Sequence, residues 1–177
     1  ILDVADLTVE GSFPLGAAVA SAMIVAGLPA WLATLMAFIA GSLAGLITGF
    51  LHSKLKIPAL LAGIVTMTGL YSINLRILGQ ANLTLLNSKT LVDSIQTMGV
   101  DKTTAILIMG STTILIVITL LHLFFNTEIG IAIRATGDNL EMSEANGINV
   151  GLTKILGFMI GNGLIPLSGA LLAQNNG

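Results

Sequence analysis

Cysteine is absent from the 177 residues, which excludes disulfides and thiolate metal sites and says nothing about compartment. Charge is scarce too. Only 9% of residues are charged, where a soluble domain carries about 25%, so this chain could not keep its surface wet. Net charge is −2, which implies no nucleic-acid partner. Chemical signatures are missing as well. There is no Gly-x4-Gly-Lys-Ser/Thr phosphate loop, no His-Glu-x-x-His, no clustered His/Asp/Glu set and no nucleophile elbow. No catalytic residue, metal site or resident cofactor is therefore expected, and any ATP would be bound by a separate subunit.

What is present is hydrocarbon. Apolar residues make up 54% of the chain and mean hydropathy is +0.95. The class this implies is all-α, a polytopic transmembrane helical bundle of about five spans. The spans fall at 13–28, 31–51, 59–78, 103–125 and 154–173. The first is short. Sixteen residues give about 24 Å of helix against a hydrocarbon core of about 30 Å. It follows ILDVADLTVEGS, where Asp3, Asp6 and Glu10 sit among apolar residues. That combination reads as a discontinuous membrane helix, with Thr8 and Ser12 as caps and Pro14 in the first turn.

The second span carries Ala33, Ala37, Gly41, Gly45 and Gly49 at four-residue spacing, a small-residue ridge that lets another helix approach closely. Packing within the chain is its expected use, and a partner subunit is the alternative. Trp31 suits an interfacial belt. The connector HSKLKIP at 52–58 is short and basic, which places it in the cytoplasm. Arg76, near the outer end of the third span, is read as snorkelling. Asn74 and Thr68 are candidates for a polar path, as is Asn162 in the Gly- and Pro-interrupted fifth span. Residues 80–102 form a polar outer segment in which Leu91, Val92, Ile95 and Met98 share one face of a short helix. His122 is read as a hydrogen-bonded interfacial residue.

The longest polar interval is 126–154, NTEIGIAIRATGDNLEMSEANGINVGLTK. Asn126, Thr127 and Glu128 start a turn, and Gly130 and Gly137 punctuate it. Asp138 or Asn139 caps a short helix through Met142 to Asn146, with Glu141 near its positive N-terminus. Gly147 ends it as the C′ residue. The result is a small helical knob between two spans. A plain surface loop without a partner is the alternative. Alternation puts this loop inside with Lys54, Lys56, Arg134 and Lys154, against Arg76, Lys89 and Lys102 outside.

The residues GIAIRATGDN at 130–139, EANGINV at 144–150 and Lys154 resemble the cytoplasmic coupling loop of bacterial ABC-importer permeases of the ribose and branched-chain amino-acid type. Glu141-Met142-Ser143-Glu144 departs from the two small residues often found there. DLTVEGS at 6–12, ahead of a small-residue helix, is similar to the variant in tryptophan/tyrosine-type permeases of the same superfamily.

The resemblance implies an importer permease in the bacterial cell membrane, moving a small solute by alternating access. An aromatic or branched-chain amino acid comes first as substrate. It implies a cytoplasmic ATPase, an extracytoplasmic solute-binding protein, surrounding membrane lipid and a homodimeric arrangement as partners. The coupling positions it carries over are Gly130, Arg134, Gly137, Asn139, Glu144 and Gly147. Asp6, Thr8, Glu10, Ser12, Asn74 and Asn162 are the expected substrate path. Family permeases are longer, so a single permease domain over 1–177, itself a fragment, is expected. Two other readings stand beside it. One is an ion-coupled secondary transporter using the acidic N-terminal segment. The other is a membrane scaffold that recruits a soluble protein through the loop.

Overall fold

A computed structural model describes residues 4–79, 90–97 and 99–176 of the chain. Asp3, Met98 and the 80–89 part of the outer segment, Lys89 included, lie outside the described residues. Eight helices are formed among those described. They are α1 Thr8–Val25, α2 Ala30–Ser53, α3 Ala59–Leu78, α4 Leu91–Gln96, α5 Lys102–Phe125, α6 Glu128–Asp138, α7 Leu140–Ala145 and α8 Val150–Asn176. Five of them (α1, α2, α3, α5 and α8) are long and apolar enough to cross a bilayer.

The core is a packed set of α1, α2, α3 and α8, with α2 against α8 as its main seam. The sequence makes that seam close. A Cβ added to Gly41 would overlap the Asn162 carbonyl, and one added to Gly45 would overlap the Phe158 carbonyl. Gly49 approaches the Ile155 Cα in the same way. Ala33, Ala37 and Ala170 complete the strip, all fully buried. Without water to squeeze out, membrane helices gain mainly from such short-range packing. Pro166 lies inside α8 and has no N–H to give the Asn162 carbonyl. Gly41 packs on that carbonyl.

Two local expectations are corrected. The first concerns the start of α1, which begins at Thr8 rather than near residue 13. Thr8 and Ser12 are buried inside the helix, not caps, and Pro14 sits about two turns in. Asp6 explains the early start. Its Oδ1 accepts the Thr8 N–H at 2.9 Å, satisfying one orphan donor of the first turn. The second correction concerns the polar interval. Gly130 and Gly137 do not break the chain there; both lie inside α6. Thr127 caps that helix by accepting from the Gly130 N–H at 3.3 Å. Gly130 is packed so closely on Phe124 and Phe125 that a Cβ would overlap their backbone. The absent side chain thus allows a close crossing rather than a turn. The fifth span likewise starts earlier than residue 154, at Val150.

Helix α4 is short and is held by a capping box between Thr90 and Asp93. Its Leu91 N–H donates to Gln174 Oε1 at 3.2 Å, while Gln174 Nε2 donates to Thr34 Oγ1 at 2.9 Å. This buried amide fastens α4, α8 and α2 at one end of the bundle. Helix α5 stands at the margin, packed mainly on α4 and α6. Apolar clefts of about 440 and 490 Å³ separate it from α8 and α2.

Candidate functional site

Polar side chains from four helices meet inside the apolar core. Thr66 of α3 donates to the Ala62 carbonyl at 3.0 Å. Thr48 of α2 donates to Thr66 Oγ1 at 2.9 Å. Thr8 Oγ1 of α1 shares a hydrogen bond with Thr48 Oγ1, at 2.8 Å. The Thr8 backbone is in turn tied to Asp6, and Asp6 Oδ2 accepts from Asn162 Nδ2 of α8 at 2.5 Å. Asn162 Oδ1 accepts from Ser12 Oγ at 2.9 Å. One continuous seam thus runs from α3 through α2 and α1 to α8. Thr8, Ser12 and Thr48 are wholly buried and Asn162 nearly so. A buried polar group in hydrocarbon needs a partner, and here every named side chain has one.

Asn74 lies one step away. Its amide rests on the α1 backbone between Gly11 and Leu15, at 3.3 Å in either amide orientation. Glu10 is not brought in; it is exposed on α1. Asp6 borders a cleft of about 120 Å³ that Val4, Gly157, Phe158 and Gly161 also line. The larger clefts beside α5 are apolar and contain no seam residue.

The sequence reading missed Thr48 and did not count Thr66 among the path residues. A signal existed for Thr48. It sits three residues after Gly45 and seven after Gly41, on the same helix face as the ridge.

The depth of the seam follows from α2. Thr48 is five residues before the end of that helix, about 7.5 Å along its axis. Helix α1, whose first residue Thr8 bonds Thr48, therefore starts about that far inside the end of α2. Asp6 takes the Thr8 N–H at that point, and Asn162 holds the Asp6 carboxylate.

The second feature is the knob of α6 and α7. Asn139 separates the two helices and caps α7, its Oδ1 accepting from the Met142 N–H at 2.9 Å. Gly147 has φ +80°. The Ile148 N–H reaches Ser143 O and the Gly147 N–H reaches Glu144 O, both at 3.0 Å, which closes a Schellman motif. Ile133 and Thr136 are buried, and Thr136 shares a hydrogen bond of 3.0 Å with Thr153 of α8. Arg134 donates to the Phe125 carbonyl at 2.5 Å, capping the negative end of α5. Gly137 is half-buried within α6, and Glu144 is exposed on α7. Ile129 and Ile131 of α6 and Leu140 and Met142 of α7 are all at least 44% exposed. Glu128, Glu141 and Glu144 are exposed around them.

Five helices long and apolar enough to cross a bilayer, a buried polar seam between four of them and a helical knob between α5 and α8 define a polytopic helical membrane bundle. The whole chain, residues 1–177, matches the family described as "Branched-chain amino acid transport system / permease component", and it belongs to that family. It is 42% identical over 174 residues to a tyrosine transport system permease protein of Clostridioides difficile (strain R20291), covering 98% of this chain and 56% of that protein. It is 36% identical over 177 residues to an uncharacterized protein of Rickettsia prowazekii (strain Madrid E), covering 100% of this chain and 60% of that one. The autoinducer 2 import system permease protein LsrC of Salmonella typhimurium (strain LT2) is 27% identical over 172 residues, with 97% of this chain and 48% of that protein covered. The chain therefore spans about half to three-fifths of the length of the curated relatives it matches. No solved structure matches it.

Proposed function

We propose that this chain is the core of an importer permease in a bacterial plasma membrane, driven by a separate cytoplasmic ATPase that holds the ATP. The observation that carries the reading is the α6–α7 knob. It is a preformed helical surface held rigidly to α5 and α8, in a chain whose family is a permease component. ATP-driven motion of a docked ATPase would reach the bundle through the Arg134 and Thr136 contacts. Gly130, Gly137, Asn139 and Gly147 set the knob's shape, and Glu144 lies on its surface.

Substrate would pass beside the seam by alternating access, with Asp6, Thr8, Ser12, Asn74 and Asn162 at the moving interface and Glu10 outside it. The seam's closed set of hydrogen bonds holds one arrangement of α1 against α8, and exchange of those bonds would permit another. Similarity to a tyrosine transport permease supports an amino acid, aromatic first. An extracytoplasmic binding protein would deliver it, and a second copy of the permease would complete the pathway.

The test replaces Arg134 with Ala and Gly147 with Val in the intact permease. Co-purification with the ATPase and substrate-stimulated ATP hydrolysis are then measured. Both should fall while the permease stays folded in the membrane. Unchanged ATPase binding and stimulation in both variants would refute the coupling role.

A further inference from the structure

A further polar cavity stands apart from the seam. It has a volume of about 380 Å³ and lies where α2 ends and α8 begins. Its walls include Lys56, Lys154, His52, Ser53, Gly151 and Glu144. We infer that this cavity is a binding site for a phosphate group, of a lipid headgroup or of free phosphate.

Four observations converge. Two lysines line one cavity against a single acidic residue. The cavity sits at the N-terminus of a 27-residue helix, where the helix dipole favours an anion. Asn149 takes the N–H groups of Leu152 and Thr153, at 3.0 to 3.1 Å. Those of Val150 and Gly151, both on the wall, have no acceptor among the described residues. Ser53, half-buried beside it, has an Oγ with no hydrogen-bond partner among the described residues.

The connector is built to hold this shape. His52 Nδ1 is 2.9 Å from the Ile57 carbonyl, and the Ile57 N–H reaches Leu51 O at 3.3 Å. Lys56 adopts φ +56°, an uncommon backbone for a residue with a side chain. The short basic connector also places this end at the cytoplasmic leaflet, where anionic headgroups collect and basic pockets between helices bind them. Glu144 is the opposing charge, so its removal strengthens the site.

The experiment uses the intact permease in two arms. In one, nanodiscs of phosphatidylcholine with or without phosphatidylglycerol are compared by native mass spectrometry for retained lipid. In the other, inorganic phosphate is titrated in detergent and thermal stability is read. Retention of phosphatidylglycerol with no response to phosphate assigns a lipid headgroup; a saturable response to phosphate assigns the free anion.

In either case Lys56→Gln and Lys154→Gln should each weaken binding about fivefold, the scale of one basic residue near an anionic surface. Glu144→Gln should tighten it, and Lys54→Gln, whose residue does not line the cavity, should leave it unchanged. The Glu144 and Lys54 variants keep the assignment testable if a cavity lysine variant fails to fold. The inference is overturned if neither probe binds, or if binding ignores both cavity lysines. It is also overturned if the lysine variants lose the ATPase while neither probe binds, because the cavity then receives a protein carboxylate.

Discussion

Asp6 and Asn162 are 156 residues apart in the chain and share a hydrogen bond in the core of the bundle. The bond joins the segment before α1 to the middle of α8. Asn162 also receives Ser12 and donates to its own helix at Phe158. One amide thus holds the carboxylate and fixes α1 against α8.

Replacing Asn162 by Leu removes one donor from Asp6 and leaves the buried Ser12 hydroxyl without its acceptor. Leaving a buried polar group unpaired costs about 1–3 kcal/mol, more for a charged one. The purified permease should unfold at lower temperature in detergent. Asn162→Gln and Asn162→Leu should both lose transport, because a longer amide displaces the Asp6 contact. Wild-type stability and uptake in the Leu variant would show that the seam has no role.

The Thr8–Thr48 bond is a test of scale. A double-mutant cycle with Thr8→Ala and Thr48→Ala should give a coupling energy of about 0.6 kcal/mol, the average for such bonds in membrane bundles. Reversible unfolding in mixed micelles would measure it. Zero coupling would mean the two hydroxyls act independently.

Gly45→Leu should prevent folding, since even a Cβ there meets the Phe158 backbone. Gly110→Ala is the matched control. Nothing lies within 4 Å of a Cβ at that position, and Ala in a helix is worth about 0.5–1 kcal/mol over Gly. The two variants should move monodispersity on size-exclusion chromatography in opposite directions, or Gly110→Ala should leave it unchanged.

Gly147→Ala tests the knob. Its left-handed backbone disfavours any Cβ by about 1–2 kcal/mol. Hydrogen exchange should accelerate at Ser143 to Ile148, while α8 remains protected. Asn at this position should be milder, because Asn tolerates that conformation better.

Arg134→Ala leaves the Phe125 carbonyl to solvent and loosens α6 from the end of α5. Faster exchange across α6, with α2 and α3 unchanged, is the expected pattern. Uniform acceleration throughout would indicate general destabilisation instead.

Apolar runs alone determined the spans, because a bilayer demands about 20 such residues per crossing. The third span even matches Ala59–Leu78 at both ends. The α7 cap at Asn139 and the stop at Gly147 were legible because capping chemistry is local. Helix α6 was not, since Gly130 and Gly137 look like breakers when the crossing that uses Gly130 is unseen.

The start of α1 was misplaced for a similar reason. Thr8 and Ser12 have the chemistry of caps, and only their partners on α2 and α8 show that they lie inside a helix. The seam itself was decided by tertiary structure. Its members are four hydroxyls, one carboxylate and one amide, scattered over four helices and the segment before α1. Their meeting depends on how closely α2 approaches α8 and how deeply α1 enters between them. No local pattern encodes that depth; it is set by which side chains can pack and which polar groups then find each other.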